Sequence, residues 1–257
     1  MKKYFVLLLL VFLFFSCNKK ADKVFQDRWI EHVVEKYPDM KTVESFIQYD
    51  NQDRLSCYVD VTVHNGITSY FAIDSVKYEE DEVIMFDRFD KRIFRYKMEE
   101  GYATECYVTS LSGRYIVRFF YEKSYLVRIV EERPISFAKG PEVFCDIKYN
   151  ADHQAIGFKN KYYDYKFLPS LSIENKNSLL LPPIYLGDYK PAFYAGILGK
   201  TTQMMIYQCI DNKTGAKTDY EYVDYKNGMT LALINEKGEG TSFNYVFRDK
   251  EEKPAQR

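Results

Sequence analysis

The amino-acid sequence predicts an all-β fold: an antiparallel β-meander that forms a curved sheet or partial barrel, with one N-terminal amphipathic helix. From about residue 44 onward, short runs rich in Val, Ile, Tyr and Phe alternate with polar turns, which is typical of successive hairpins. The composition, 46% hydrophobic and 28% charged, is that of a globular protein. The near balance of 36 basic and 37 acidic residues argues against nucleic acid as a partner.

The first 16 residues have the pattern of a secretory signal peptide. Lys2 and Lys3 precede an unbroken apolar run over residues 4–15. A membrane-spanning helix needs about 20 apolar residues, so this run is too short to cross a bilayer but suits the apolar region of a signal peptide. The sequence therefore predicts export and removal of residues 1–16.

Ser16 and Cys17 follow the apolar run, and a small residue directly before Cys resembles the lipobox of bacterial lipoproteins. The resemblance implies that Cys17 is lipidated, with acyl chains such as palmitate, and becomes the new N-terminus. Each buried CH₂ contributes about 0.8 kcal/mol, so two or more chains hold a protein stably on a membrane. The expected partner at this site is thus the membrane itself.

Residues 17–43 are predicted to hold the lipidated Cys, a tether and the N-terminal helix. Over residues 24–37, Phe25, Trp29, Val33 and Tyr37 recur every four residues, which favours one amphipathic helix. Pro38 disfavours helical geometry at the residue before it and ends the pattern.

Residues 44–247 are predicted to be the β-meander domain, and its hairpins follow one another along the chain. Asn65-Gly66 separates two alternating runs and supplies the positive φ that a type I′ turn requires. Glu99-Glu100-Gly101 and Ser112-Gly113 mark two later turns, and Arg114–Glu122 alternates inward aromatic with outward basic residues. The polar residues 248–257 are predicted to be a disordered tail.

One segment interrupts the meander. Residues 169–200 hold four of the eight prolines and several glycines, which predicts a long excursion with a short helix near 192–198. The excursion is expected to be either a functional loop or a cap that covers the sheet.

The sequence predicts no catalytic residue, no metal site and no cofactor. Each remaining cysteine lies in an apolar stretch, which favours buried thiols over two disulfides, although three disulfide connectivities are also open. The histidines are expected to be surface residues of turns or of the N-terminal helix. These residues are Cys57, Cys106, Cys145 and Cys209, and His32, His64 and His153.

The Tyr-rich hairpins, the stretch Asn175–Asn177 and the segment Ala195–Lys200 resemble a family of Bacteroidota lipoproteins. Members carry a Tyr-rich domain of unknown function with a porin-like fold, and the likeness covers roughly residues 70–247. The resemblance implies a curved antiparallel sheet and an envelope location. The residues after Cys17, Asn18-Lys19-Lys20, are not acidic. This favours an outer-membrane lipid anchor facing the periplasm.

Charges on both faces of several strands favour a sheet that faces water rather than a pore. The leading hypothesis is a non-enzymatic binding or assembly module that recognises an envelope protein or a glycan. The alternative is an envelope polysaccharide hydrolase, which would need two carboxylates about 5–9 Å apart. A third possibility is a purely structural or assembly-accessory lipoprotein with no small ligand. A concave face lined by tyrosines would favour a glycan, and a flat apolar patch would favour a protein.

Overall fold

The computed structural model describes residues 29–133, 140–175, 178–182 and 184–248. Sixteen strands form one closed barrel in which each strand pairs antiparallel with its neighbours in the chain. The first strand, residues 29–36, pairs with the last, residues 240–248, and this pairing closes the barrel. The predicted all-β antiparallel meander is therefore confirmed, and the sheet closes fully.

The strands are short and are joined mostly by tight turns. Their bounds are β1 Trp29–Lys36, β2 Thr42–Tyr49, β3 Leu55–His64, β4 Ile67–Tyr78, β5 Glu82–Asp87, β6 Arg92–Glu99, β7 Tyr102–Ser110, β8 Gly113–Glu122, β9 Tyr125–Glu132, β10 Glu142–Tyr149, β11 Ala155–Asn160, β12 Asp164–Glu174, β13 Met204–Asp211, β14 Lys217–Tyr225, β15 Gly228–Asn235 and β16 Gly240–Arg248. Between β12 and β13, the 3₁₀ turn Gly187–Tyr189 leads into the helix α1, Lys190–Tyr194.

The two ends of the barrel differ in what they carry. We call the end with the β1–β2 turn the upper end, and the end where β1 begins and β16 finishes the lower end. Because the strands alternate in direction, β12 ends and β13 begins at the lower end. The intervening residues 175–203, which we call the insert, therefore leave and rejoin the wall there.

The predicted N-terminal helix over residues 24–37 is wrong where the structure describes it, because residues 29–36 form β1. A register shift between Ile30 and His32 breaks the two-residue alternation of this strand. Ile30 and Val33 therefore both face the core at a spacing of three, as they would on a helix. Because of this bulge, the apolar residues of the strand recur at a spacing that is typical of an amphipathic helix. The barrel thus begins N-terminal to the predicted boundary at residue 44.

Several predicted segments lie outside the described residues: the signal peptide 1–16, the lipidation site Cys17, helix residues 24–28 and tail residues 249–257. Arg248, assigned to the tail, belongs to β16, and its guanidinium lies 2.8 Å from the Asp53 carboxylate at the lower end.

The predicted hairpins are confirmed from β3 to β16. Asn65 and Gly66 have φ of 51° and 74°, as a type I′ turn requires, and Glu100 and Gly101 have 51° and 86°. In β8, Val117 and Phe119 face the core while Arg118 faces outward. These elements were predictable because turn chemistry and alternation are local properties.

The insert fills the lumen. A barrel of 16 strands is wide enough to leave an aqueous channel, so its own inward side chains cannot close it. Here nine hydrophobic side chains of the insert are buried together with the inward face of the wall. They are Leu179, Leu181, Leu186, Tyr189, Ala192, Phe193, Tyr194, Ile197 and Leu198. The expected excursion is thus an internal plug, and its helix begins at Lys190, two residues before the predicted start.

Where the insert returns to the wall, it passes very close to the β8–β9 turn. Gly199 has φ of +82°, and a Cβ there would lie 2.5 Å from the Ser124 carbonyl oxygen. The Lys200 amide donates to that same oxygen at 2.8 Å. Gly196 has a similar φ of +73°, but a Cβ there would meet nothing within 4 Å.

Substituting these two glycines in turn distinguishes the cost of backbone strain from the cost of a steric clash. Gly196→Ala should cost about 1–2 kcal/mol, the penalty of left-handed backbone for an L-residue. Gly199→Ala should cost at least about 2 kcal/mol more, because the backbone carbonyl at 2.5 Å cannot move aside cheaply. Urea unfolding followed by circular dichroism measures both. Equal losses would show that the insert does not pack against the β8–β9 turn.

Candidate functional site

Three consecutive residues of the insert attach to three sectors of the wall near the upper end. The Asp188 carboxylate pairs with Arg92 on β6. The Tyr189 hydroxyl donates to Glu131 on β9 at 2.6 Å. The Lys190 ammonium donates to Glu35 on β1 at 2.9 Å. These contacts fix the turn of the insert from several directions at once.

Lys190 lies at the centre of a buried polar cluster. Its Nζ is 2.9 Å from Glu35 Oε1, 3.2 Å from Ser45 Oγ and 4.0 Å from Asp60 Oδ2. The side chains of Lys190, Glu35 and Asp60 are each less than one fifth exposed. The Tyr58 hydroxyl donates to Asp60 at 2.6 Å and the Tyr37 hydroxyl donates to Glu35 at 2.7 Å, so each of the two carboxylates also accepts a hydrogen bond from a tyrosine. One ammonium therefore compensates two carboxylates inside the lumen.

The surroundings of Lys190 keep it charged. Burial alone would lower the pKa of the ammonium, but the facing Tyr58, Glu35 and Asp60 oppose this and raise the pKa well above its ordinary value. Tyr194 stacks on Tyr58 at 5.7 Å, and burial raises the pKa of Tyr194 to about 12 although Lys190 opposes it. Lys190 is accordingly a cation at neutral pH and cannot act there as a nucleophile or base.

A second charged cluster surrounds Arg92. Besides Asp188, its guanidinium reaches the fully buried Asp87 at 2.8 Å and Asp90 at 3.1 Å. The guanidinium also lies over the ring of Phe71, 5.5 Å from its centroid. Burial would lower the pKa of Arg92, but Asp188 and Asp87 outweigh it, so the pKa is raised. This cluster ties the insert to the β5–β6 turn.

Sequence reasoning found neither cluster. Lys190 is one isolated lysine in a Pro-rich segment, and its partners Glu35 and Asp60 lie more than 100 residues away in the chain. The one available signal is a lone basic residue among apolar neighbours in a segment predicted to cover the sheet.

The concave face of the sheet, where tyrosines could have bound a glycan, is occupied by the protein's own core. Tyrosines of the wall such as Tyr58, Tyr96, Tyr220 and Tyr245 are buried there. Of the ten exposed aromatic side chains among the described residues, five lie at the upper end, and we call these five the aromatic rim. The rim consists of Tyr70, Phe89, Tyr162, Tyr163 and Tyr185.

The rim has three parts. Tyr70 and Phe89 stack with ring centroids 5.4 Å apart. Tyr163 stacks on Tyr165 at 5.5 Å, while Tyr162 is 70% exposed. Tyr185, on the insert, is 59% exposed. Exposed rings with a hydroxyl at one edge can stack on a sugar and also donate a hydrogen bond.

The outer wall carries a belt of charges paired across neighbouring strands. Arg118 on β8 contacts both Glu105 on β7 and Glu132 on β9. Other pairs continue the belt on either side of this triad. They are Glu82–Arg95 at 2.8 Å, Arg128–Asp146 at 2.5 Å and Lys159–Asp164 at 3.1 Å.

The cysteines and histidines behave as surface or packing residues. The four described cysteines are unpaired, and all but Cys57 are buried. Burial raises the pKa of the Cys145 thiol to about 12, which leaves it protonated and unreactive at neutral pH. His32 lies on β1 rather than on a helix and stacks on Phe46 at 4.6 Å. His153 stacks on Tyr125, and His64 lies 3.5 Å from Asp39.

Among the described residues, no three His, Cys, Asp or Glu side chains gather as a metal site. Three glutamates close to strand ends are engaged with neighbouring groups: Glu82 with Arg95, Glu99 with Lys97, and Glu131 with Tyr189 and Arg133. The helical segments within the described ranges are too short and polar to cross a membrane.

Comparison with known proteins shows the fold. No protein-family profile and no curated protein matches the sequence. A porin-like protein from Bacteroides uniformis ATCC 8492 matches with a TM-score of 0.63 and 18% identity, covering 85% of this chain and 96% of that one. A porin-like protein from Bacteroides vulgatus ATCC 8482 matches with a TM-score of 0.54 and 9% identity, covering 86% and 99%. These likenesses confirm the porin-like antiparallel fold that the sequence resemblance implied.

Replacing Lys190 by Met should destabilise the protein strongly, since Glu35 and Asp60 would lose their cation. Breaking a buried ion pair costs about 3–5 kcal/mol, and we expect a loss of that size in urea unfolding at pH 7. The control Lys159→Met removes an exposed ion pair with Asp164 and should cost about 1 kcal/mol or less.

The same variant should alter the response to alkali. The pKa of Lys190 is higher in the folded chain than in the unfolded chain. Its stabilising contribution is therefore complete below the unfolded pKa of about 10.4 and is lost as pH rises through the folded value. The free energy of unfolding of wild type should fall above about pH 10. In Lys190→Met, the part of this fall that comes from deprotonation of Lys190 should be absent. Equal unfolding free energies at pH 7 would contradict the role of the cluster.

Proposed function

We propose that this protein is a lipoprotein of the cell envelope, anchored in the outer membrane through Cys17 and facing the periplasm. Its filled barrel acts as a non-enzymatic binding or assembly module. The observation that carries the proposal is the combination of a lumen packed with the protein's own side chains and an outer wall that bears a charged belt. Such a barrel is suited to presenting a surface.

The outer wall favours contact with water over contact with lipid. A barrel in a membrane turns an apolar band outward, and a Lys or Arg at the bilayer midplane costs about 2–4 kcal/mol. The belt would place Arg118, Arg128 and their acidic partners in that position. Glu105, Arg118, Arg128 and Asp146 lie on the four consecutive strands β7 to β10, so this cost would recur across that sector of the wall. Anchoring by acyl chains avoids it.

The chain path favours display of the upper end. The wall begins at residue 29 at the lower end, and eleven residues separate Cys17 from it. At about 3.5 Å per extended residue, this tether could reach about 40 Å. An anchor at Cys17 would thus hold the lower end toward the membrane, and the aromatic rim at the upper end would face the periplasm. We assign the binding of an envelope glycan or protein to that end.

The alternative of a polysaccharide hydrolase finds less support. Glu35 Oε1 and Asp60 Oδ2 lie 2.9 Å and 4.0 Å from Lys190 Nζ, so these carboxylates are the described pair that a glycosidase reading would use. However, both face the same buried ammonium, and the insert covers them. Neither carboxylate is thus placed to protonate a glycosidic oxygen.

Cys17→Ser tests the anchor. In cell fractionation, wild type should sediment with membranes, and mass spectrometry should show a lipid-modified Cys17 at the N-terminus. Cys17→Ser should move to the soluble envelope fraction, because it lacks acyl chains. The matched control Cys57→Ser, on the barrel wall, should stay with the membranes. An unmodified N-terminus in wild type would refute the anchor.

Cross-linking in intact cells, with wild type beside Cys17→Ser, tests the binding role. Capture of one specific envelope protein by the anchored form alone would support assembly with a protein partner. Capture of no protein, together with binding to envelope oligosaccharides, would support the glycan role. Cleavage of those oligosaccharides by the purified protein would overturn the non-enzymatic proposal.

A further inference from the structure

The outer wall has a cleft of about 210 Å³ over strands β10, β11 and β12. Gly157 on β11 pairs with Lys148 on β10 on one side and with Lys166 on β12 on the other. Because Gly157 has no side chain, the wall is recessed between the two lysines. A Cβ at this position would lie 3.1 Å from the Tyr165 carbonyl oxygen and 3.7 Å from Lys148 Cβ.

The cleft carries more positive than negative charge. Lys148, Lys159 and Lys166 line it, with Asp164 as its one acidic side chain. Asp164 is already engaged, since it accepts a hydrogen bond from Asn212 Nδ2 at 2.7 Å and lies 3.1 Å from Lys159 Nζ. The hydrogen bond from Asn212, with Lys159 and Lys148, lowers the pKa of Asp164.

Lys148 and Lys166 differ from most charges of the belt. Within the described part of the chain, neither has a carboxylate oxygen within 4.0 Å, whereas Arg118, Arg128 and Lys159 do. Two ammonium groups that flank a recess and lack an acidic partner attract an anion. The aliphatic part of Lys148 lies over Gly157, since its Cδ is 3.8 Å from the position of a Cβ there, so an anion would sit beside this side chain and within reach of both ammonium groups.

The position of the cleft indicates which kind of anion. The β11–β12 turn, three residues long, carries Tyr162 and Tyr163 of the aromatic rim, and Gly157 lies four residues before it. Lys213 Nζ holds this turn by donating to the Tyr162 carbonyl at 2.8 Å. Tyr163 stacks on Tyr165, which packs against the core, whereas Tyr162 is 70% exposed on the same strand pair as the cationic recess. Rings that can stack on a sugar and ammonium groups that bind an oxyanion favour one ligand with both features.

We propose that the cleft around Gly157 binds the oxyanion of an acidic saccharide, a sugar bearing a phosphate, sulfate or carboxylate group. Lys148 and Lys166 neutralise the oxyanion, Asn212 borders the site, and the absence of a side chain at Gly157 gives the anion room. This inference deepens the binding role proposed above by naming a ligand class. It does not depend on lipidation of Cys17, so the two can fail separately.

The test is titration calorimetry of the purified protein at low salt, with a sulfated disaccharide as the probe. The double variant Lys148→Gln/Lys166→Gln should bind it at least about tenfold more weakly, because two charges next to the anion are lost. The control Lys77→Gln/Lys97→Gln removes the same net charge from exposed lysines paired with Glu79 and Glu99. This control should bind within about twofold of wild type, since screening limits distant charges.

Gly157→Val gives an independent check that keeps every charge. The added side chain should fill the recess and weaken binding at least about fivefold, while circular dichroism verifies that the variant folds. The unsulfated disaccharide should bind wild type less tightly than the sulfated probe. The proposal would be overturned if the two double-lysine variants bound the sulfated probe equally weakly. It would also be overturned if wild type showed no measurable binding of that probe. Lysine-dependent binding to anionic phosphatidylglycerol vesicles but not to the sugar would assign the cleft to lipid and also overturn it.

Discussion

The structure depends on filling a barrel that is too wide to fill itself. Sixteen strands enclose a space that inward side chains alone leave open. The insert supplies the missing volume, and residues 188–190 fasten it through polar contacts with separate strands. Buried charges are costly unless they are paired. The burial of Lys190 therefore depends on Glu35 and Asp60, and the burial of these two carboxylates depends on Lys190. This mutual dependence fixes the insert in one position.

The filled lumen decides where function can lie. The inward tyrosines contribute to the core, so the binding role proposed above would use the outside of the barrel. Two outer features differ from an ordinary solvated surface: the aromatic rim at the upper end and the cationic recess at Gly157. The recess and two residues of the rim, Tyr162 and Tyr163, lie on or close to the β11–β12 turn. A tether at the lower end would leave this region free.

Local rules predicted the hairpins but not the closure of the barrel. Asn65-Gly66 specifies its turn with two residues, and the alternation in β8 shows its inward face without reference to any other strand. β1 escaped recognition because one bulge placed Ile30 and Val33 at helical spacing. The position of residues 175–203 inside the lumen could not be predicted from the sequence. A Pro-rich segment has the same local sequence pattern whether it lies outside or inside a barrel. The contact between Lys190 and Glu35 spans most of the chain and leaves no local pattern.

Hydrogen exchange in detergent-free buffer tests most directly whether the insert fills the lumen. The informative amides are those of Ala195, Ile197 and Lys200, which donate to Pro191, Ala192 and Ser124, and that of Ala103 on β7, which donates to the Ile197 carbonyl at 2.8 Å. If the insert is a packed plug, its three amides should exchange as slowly as those of the strands around them. Rapid exchange of the insert beside protected strands would show that it is a surface loop and that the lumen is open.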